Sequence, residues 1–324
     1  TQEDFVTLGQ RISRKTGGIR SQWLTSSLLD REGSTAWLFL RGKAMVDRAE
    51  EMIQIYRDVL LKMALDNKAR FRQMVLEEKA KLEQKLIPAG HQIINLRLRA
   101  QFAESHWAAE QMSGISYLFF LRRLAETVDT DWPSVLNALE QIRHNLLIRE
   151  QMLCNITVDQ TEWERIDPAL TDFIRAMPEA PTATSEWPGR AREVIEGLTI
   201  PAQVNYVGKG INLYDLGYPY HGSAQVITRY LRNTWLWDQI RVQGGAYGAF
   251  CLLDRLSGAL AFVSYRDPNL LKTVDIFDRS ARFLRETHLD EPELTKSIIG
   301  AIGDLDAHML PDAKGFAAMG RYLT

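Results

Sequence analysis

Arg241 and Tyr247 stand six residues apart, with Gly244-Gly245 between them. Both side chains end in hydrogen-bond donors suited to a peptide carbonyl, a carboxylate or an oxyanion forming during acyl chemistry. A glycine pair admits positive φ and close backbone approach, so the turn can bring a guanidinium and a phenol together at the head of a strand. The same residues also make an ordinary turn with a surface arginine and a packing tyrosine. Spacing alone leaves both readings open.

Other catalytic signatures are missing. The six histidines stand at 91, 106, 144, 221, 288 and 308, the closest pair 15 residues apart, so neither H-E-x-x-H nor H-x-x-E-H occurs. His106 and Glu110 lie one helical turn apart and read as a surface or core-edge pair, since a metal site needs further ligands. No G-x-S-x-G marks a nucleophile elbow, and Gly208-Lys209-Gly210 lacks the spacing and hydroxyl of a phosphate loop. The Gly244–Gly248 run follows a helix and precedes a strand, the reverse of the order that dinucleotide binding requires. Cys154 and Cys251 are too few for a disulfide framework or a four-cysteine zinc site. Both sit in apolar, strand-like runs and read as buried free thiols, which fits a reducing compartment.

The elements that must position Arg241 and Tyr247 occur twice. Arg14-Lys15-Thr16-Gly17-Gly18-Ile19 matches Arg241-Val242-Gln243-Gly244-Gly245-Ala246, and Leu28 to Arg31 matches Leu252 to Arg255. The strand-like Thr35 to Leu40 matches Ala259 to Ser264, each followed by an arginine, Arg41 or Arg266. Leu86-Ile87-Pro88 matches Met309-Leu310-Pro311, so the offset stays between 223 and 227 over some 75 positions. A duplicated unit of roughly 225 residues is expected. Its first copy spans 1–178, the Pro- and Thr-rich stretch 179–190 is a linker, and 191–324 is the second copy. The first copy keeps the arginine as Arg14 but has Arg20 where the second has Tyr247. Because 324 residues are not a whole number of such units, the chain is expected to be a piece of a longer polypeptide.

Periodicity fills in the rest. A strand at 35–40 precedes an apolar helical stripe over 44–65, from Met45 and Ala49 to Met63. A charged amphipathic helix follows as far as Pro88, then helices near 91–109, 113–127 and 133–144, a strand at 146–158 and a helix at 161–176. The second copy opens with a strand at 202–208, a helix at 221–239 and the hairpin 246–253 with 259–264, after which Pro268 starts a helix. Strands and long helices without βαβ regularity imply an α+β fold, each copy a mostly antiparallel sheet with helices packed on one face.

Composition excludes several classes. The 324 residues, 45% hydrophobic and 25% charged, hold about two domains with ample cores. Lys and Arg number 39 against 41 Asp and Glu, which gives no basic footprint for nucleic acid. No uninterrupted apolar run predicts a membrane span, and Thr1-Gln2-Glu3-Asp4 is not read as a signal or transit peptide.

The run from Tyr230 through Leu236-Trp237-Asp238-Gln239-Ile240-Arg241 to Gly248 resembles the presequence-protease branch of the insulinase/pitrilysin zinc metallopeptidase clan. So do Ser264-Tyr265-Arg266-Asp267-Pro268-Asn269, Gly90-His91 and Trp107 to Gly114. The resemblance implies four homologous α+β domains closing around a chamber, this chain holding most of the third, non-catalytic domain and the first part of the fourth. It further implies zinc ligands and a glutamate base in an N-terminal catalytic half outside these residues, hence no zinc bound by this chain itself. Arg241 and Tyr247 would hold a short, unfolded peptide substrate, with no catalytic residue in this part. The partners implied are peptide substrates and that N-terminal half. The implied compartment is cytoplasm in a bacterium, mitochondrial matrix or chloroplast stroma in a eukaryote. A non-catalytic structural or interaction subunit of the same fold is the alternative.

Overall fold

The computed structural model describes residues 4–29, 31–181, 187, 194–306 and 308–324. Asp4 caps the first helix, α1 (Phe5–Lys15), by accepting the Thr7 N–H at 2.7 Å. Strands β1 (Ile19–Ser27) and β2 (Ser34–Gly42) form an antiparallel hairpin with Ile19 opposite Gly42 and Ser27 opposite Ser34. Six helices follow: α2 (Ala49–Lys62), α3 (Lys68–Lys85), α4 (Gly90–Arg99), α5 (Glu104–Ser113), α6 (Ile115–Thr130) and α7 (Trp132–Leu146). Asn67 and Asp131 cap α3 and α7 through the N–H groups of Arg70 and Ser134. Helix α8 (Gln160–Arg175) packs on α2, burying Ile53, Ile166, Leu170 and Phe173 together.

Beyond the stretch assigned to the linker, most of which lies outside the described residues, β3 (Gly208–Asn212) leads to α9 (Ser223–Asn233). A π-helical turn, Trp237–Val242, then precedes β4 (Gly248–Leu253) and β5 (Ala259–Tyr265). The chain closes with α10 (Leu271–Glu286), α11 (Glu291–Leu305) and α12 (Pro311–Leu323). The order helix, Gly-Gly, strand, strand and three helices thus occurs at both ends of the repeat offset.

The antiparallel sheet β3-β5-β4 shows how each side chain is used. Successive strand residues face opposite ways. Ala249, Cys251, Leu260 and Phe262 meet Leu231, Leu236, Ile240, Ile276 and Phe277 from α9, the π turn and α10. On the opposite face, Phe250 and Tyr265 meet His91 at the start of α4. The exchange is reciprocal. Phe316 of α12 packs edge-on against Phe39 of β2, with ring centroids 5.2 Å apart, and lies under the guanidinium of Arg41 at 3.6 Å. The third helix after each hairpin therefore leans on the other hairpin. No helix among the described residues is long and apolar enough to cross a membrane.

Several local expectations fail for identifiable reasons. The strand expected at 146–158 is absent: α7 runs to Leu146, Arg149–Gln151 is a 3-10 turn, and the rest joins no ladder. Its apolar residues Met152 and Val158 pack on the α2–α8 core instead, so burial is met without strand pairing. The strand expected at 202–208 reduces to one bridge, Asn205 to Asp267, and regular pairing starts at Gly208. The single helix expected near 91–109 is two, broken at Ala100 to Ala103, and the one expected at 221–239 breaks at Thr234 before the π turn. Pro268 precedes α10 by three residues rather than starting it. Cys251 is buried, which raises its thiol pKa to about 12, but Cys154 is exposed.

Candidate functional site

The site is assembled where the π turn runs into β4. Wide helical turns of this kind relax the usual i→i+4 ladder, and Gln243 donates its N–H to Asp238 O at 2.9 Å. The turn then ends in a paired pattern: Ala246 N–H donates to Ile240 O and Gly245 N–H to Arg241 O, both at 3.0 Å. This is a Schellman ending, which requires a left-handed residue, and Gly245 supplies it with φ +77°. Gly244 is needed for a different reason. A Cβ there would collide with the Ile240 carbonyl oxygen, which is backbone and cannot swing away. Tyr247 N–H donates to Tyr265 O at 2.9 Å and so joins the ladder one residue before β4.

Above this backbone the donors face outward. Arg241 is exposed, its guanidinium 4.1 Å over the ring of Trp237, itself 47% exposed. Tyr247 is 66% exposed and meets Tyr265 edge-on, with centroids 5.8 Å apart. Arg266 holds its guanidinium 5.9 Å from the Tyr247 ring and 5.6 Å from that of Tyr265. Tyr265 in turn rests on His91 at 4.6 Å, and His91 stacks on Phe250 at 5.5 Å. Burial lowers the His91 pKa, and its Nδ1 is buried without a partner. The turn therefore places both sequence-predicted residues at the same end of the hairpin, each against its own aromatic. Among the described residues no hydrogen bond or ring contact joins Arg241 to Tyr247 directly.

Sequence reading missed Trp237, Tyr265 and Arg266 as neighbours of the pair. The aromatic four residues before Arg241 was the available signal, since i and i+4 share a helical face. Arg266 gave none: its φ of +49° makes it the one non-glycine with positive φ among the described residues.

The comparisons with known proteins agree along the whole chain. A family model described as "PreP C-terminal domain" matches residues 195–324, and a model of a peptidase-associated domain from the same family matches residues 1–124. A relative from Arabidopsis thaliana, presequence protease 1 (chloroplastic/mitochondrial), is 43% identical over 98% of this chain and 30% of its own length. The chain belongs to the presequence-protease branch of the insulinase/pitrilysin peptidases. Within the branch similarity reaches protein HypA of Clostridium perfringens, 28% identical over 99% of this chain and 33% of that protein. The mitochondrial presequence protease of Danio rerio is 24% identical over the same shares. The chain thus spans about a third of the length of the curated relatives it matches.

Members of this clan are zinc enzymes by resemblance, but the residues here do not fit that ion. Among the described residues no group of three or more His, Cys, Asp or Glu side chains is placed to hold a metal. His106 and Glu110 have other partners. His106 Nε2 accepts from Arg99 at 2.9 Å and faces Ser257 Oγ at 2.8 Å, which leaves the ring neutral with its proton on Nδ1. Burial, then the charge of Arg99, lowers its pKa to about 4, against the opposing pull of Asp254 at 3.4 Å. Glu110 is fully buried, accepts the Ser116 N–H at 3.0 Å and lies 3.6 Å from Arg97. Both are joints between elements.

Proposed function

We propose that this chain is the substrate-holding part of a zinc metalloendopeptidase that degrades short, unfolded, presequence-like peptides, with the zinc ligands and the glutamate base outside these residues. The family and the relatives' names support peptide cleavage. The observation that carries the role of this part is the Arg241–Tyr247 turn: two donors exposed to solvent on a backbone fixed by a Schellman ending and the β4–β5 ladder. Such donors bind a peptide carbonyl and stabilise charge growing on its oxygen, and their preorganisation is what gives them value. The recurrence of helix, glycine pair, hairpin and three helices supports a division into two homologous units, 1–178 and 191–324.

The test uses the full-length protein with Arg241→Ala and Tyr247→Phe made singly. Each is expected to lower kcat on an unfolded peptide by about 10²–10³ while the melting temperature holds. Unchanged turnover in both would reject the assignment. Loss of folded protein in step with activity would make the residues structural.

A further inference from the structure

The Gly244–Gly245 turn is held from outside as well as by its own backbone. Asn269 donates its Nδ2–H to Gly244 O at 2.7 Å and also faces Asp267 Oδ1 at 3.3 Å. Asp267 has no exposed surface, and all its polar atoms are engaged. Its Oδ1 accepts the Asn269 N–H at 2.8 Å, its Oδ2 accepts Thr273 Oγ1 at 2.7 Å, and its backbone pairs in both directions with Asn205. The chain reaches this arrangement through the positive φ of Arg266, a conformation that costs a non-glycine residue about 1 kcal/mol or more. That reversal turns Asp267 inward and leaves Arg266 exposed beside Tyr247.

The other copy isolates what the bracket is for. With the 225-residue offset that matches Arg41 to Arg266, the positions of Asp267 and Asn269 are Gly42 and Ala44. Neither can make these bonds. There the turn is tied by backbone alone, Gly17 N–H donating to Lys43 O at 2.7 Å. Backbone bonds thus suffice to close a Gly-Gly turn in this fold, and the side-chain bracket is present only in the copy that carries both Arg241 and Tyr247.

We propose that Asn269, oriented by the buried Asp267, is a positioning residue that sets the Arg241–Tyr247 turn against the substrate. The inference rests on the reading of that pair as substrate-holding. A shift of about an ångström in such donors can cost on the order of 10²-fold in rate. One hydrogen bond from Asn269 to the turn is the link through which the shift would be prevented.

The experiment compares four full-length proteins: wild type, Asn269→Ala, the double variant Arg241→Ala/Tyr247→Phe, and all three changes together. A quenched fluorogenic peptide too short to fold serves as substrate, and melting temperature is followed in parallel. Asn269→Ala is expected to lower kcat/KM by about 10-fold to 10²-fold in the wild-type background and to have no further effect in the double variant. Equal losses in both backgrounds, or no loss in wild type, overturn the proposal. Should Asn269→Ala fail to fold, Asn269→Asp keeps the shape and the backbone bond but replaces the donor facing Gly244 O. The same background-dependent loss is expected, and activity that merely tracks folded protein overturns the proposal. If the double variant itself is as active as wild type, the failure belongs to the substrate-holding reading and not to the bracket.

Discussion

The two hairpins share order and turn chemistry but are finished differently at the end where the glycine pair lies. At the β1–β2 hairpin, Arg41 donates to Gln22 at 3.1 Å and lies under cover of Phe316, with Arg20 opposite it in the ladder. At the β4–β5 hairpin, Arg241 and Tyr247 stay exposed, while the bonds beneath them are more numerous: a Schellman pair, the Tyr247–Tyr265 bond and the Asn269 bracket. One hairpin end is covered by another helix and the other is stiffened and left open. Stiff backbone under exposed donors is the combination expected of a binding surface, because ordering costs are met during folding and not during binding.

The largest difference should therefore appear in turnover. Arg14→Ala and Arg20→Ala in the full-length protein are expected to leave kcat within about twofold, against losses of about 10²–10³ for Arg241→Ala. Similar losses on both sides would erase the functional distinction, whatever the structures of the turns.

The opposite ends of the hairpins differ as well. Leu29 N–H in the β1–β2 turn donates to the carbonyl of Thr324. The β4–β5 turn is joined to α4 and α5 by an ionic cluster in which Arg99 pairs with Asp254 and His106 faces Ser257. His106 takes up a proton near pH 4 when folded and near 6.5 when unfolded. Above pH 6.5 the ring is neutral in both states and its contribution is complete. Between pH 6.5 and 4 the unfolded chain binds a proton that the folded one refuses, so stability falls by up to about 3 kcal/mol. Urea midpoints at pH 7 and pH 4.5 should converge for His106→Asn and separate for the wild type. Equal pH slopes in the two proteins would remove the histidine from the joint.

What the sequence disclosed follows from how local each signal is. Helices α2, α3, α6 and α7 were legible because their apolar stripes recur at helical spacing and Asn67 and Asp131 sit at the caps. The Gly-Gly turn was legible because Gly245 meets a steric demand that few other residues satisfy. The Leu146–Val158 run misled because alternating apolar residues serve equally to pack a coil on helices, and strand pairing depends on a partner edge far away in sequence. The π turn, the inward Asp267 and the reciprocal leaning of α4 and α12 are tertiary. Nothing within a few residues of Asn269 reveals that its amide reaches Gly244.

The glycines sharpen the comparison at a smaller scale. Gly244→Ala would force a Cβ onto the Ile240 carbonyl and is expected to cost about 1–3 kcal/mol. Gly17→Ala meets only the flexible Lys43 side chain, its nearest atom 2.9 Å away, and should stay within about 0.5 kcal/mol. Chemical denaturation of the two variants gives the ratio. Equal costs would mean that the two turns are restrained alike and that the extra bonds of the second are redundant.

The smallest expected effect concerns the arginines that end the two second strands. Arg41 has ordinary strand geometry, so Arg41→Gly loses chain stiffness, about 0.5–1 kcal/mol, and its contact with Phe316, worth about as much again. Arg266 stands at φ +49°, where glycine is at ease. Arg266→Gly incurs the same entropic loss and gives up a longer-range contact with Tyr247 and Tyr265, but it recovers the left-handed penalty of about 1–2 kcal/mol. The net change should lie close to zero, with Arg41→Gly less stable by about 1 kcal/mol. A destabilisation by Arg266→Gly as large as that of Arg41→Gly would show that the guanidinium, and not the backbone reversal that aims Asp267 inward, is what the second hairpin needs at this position.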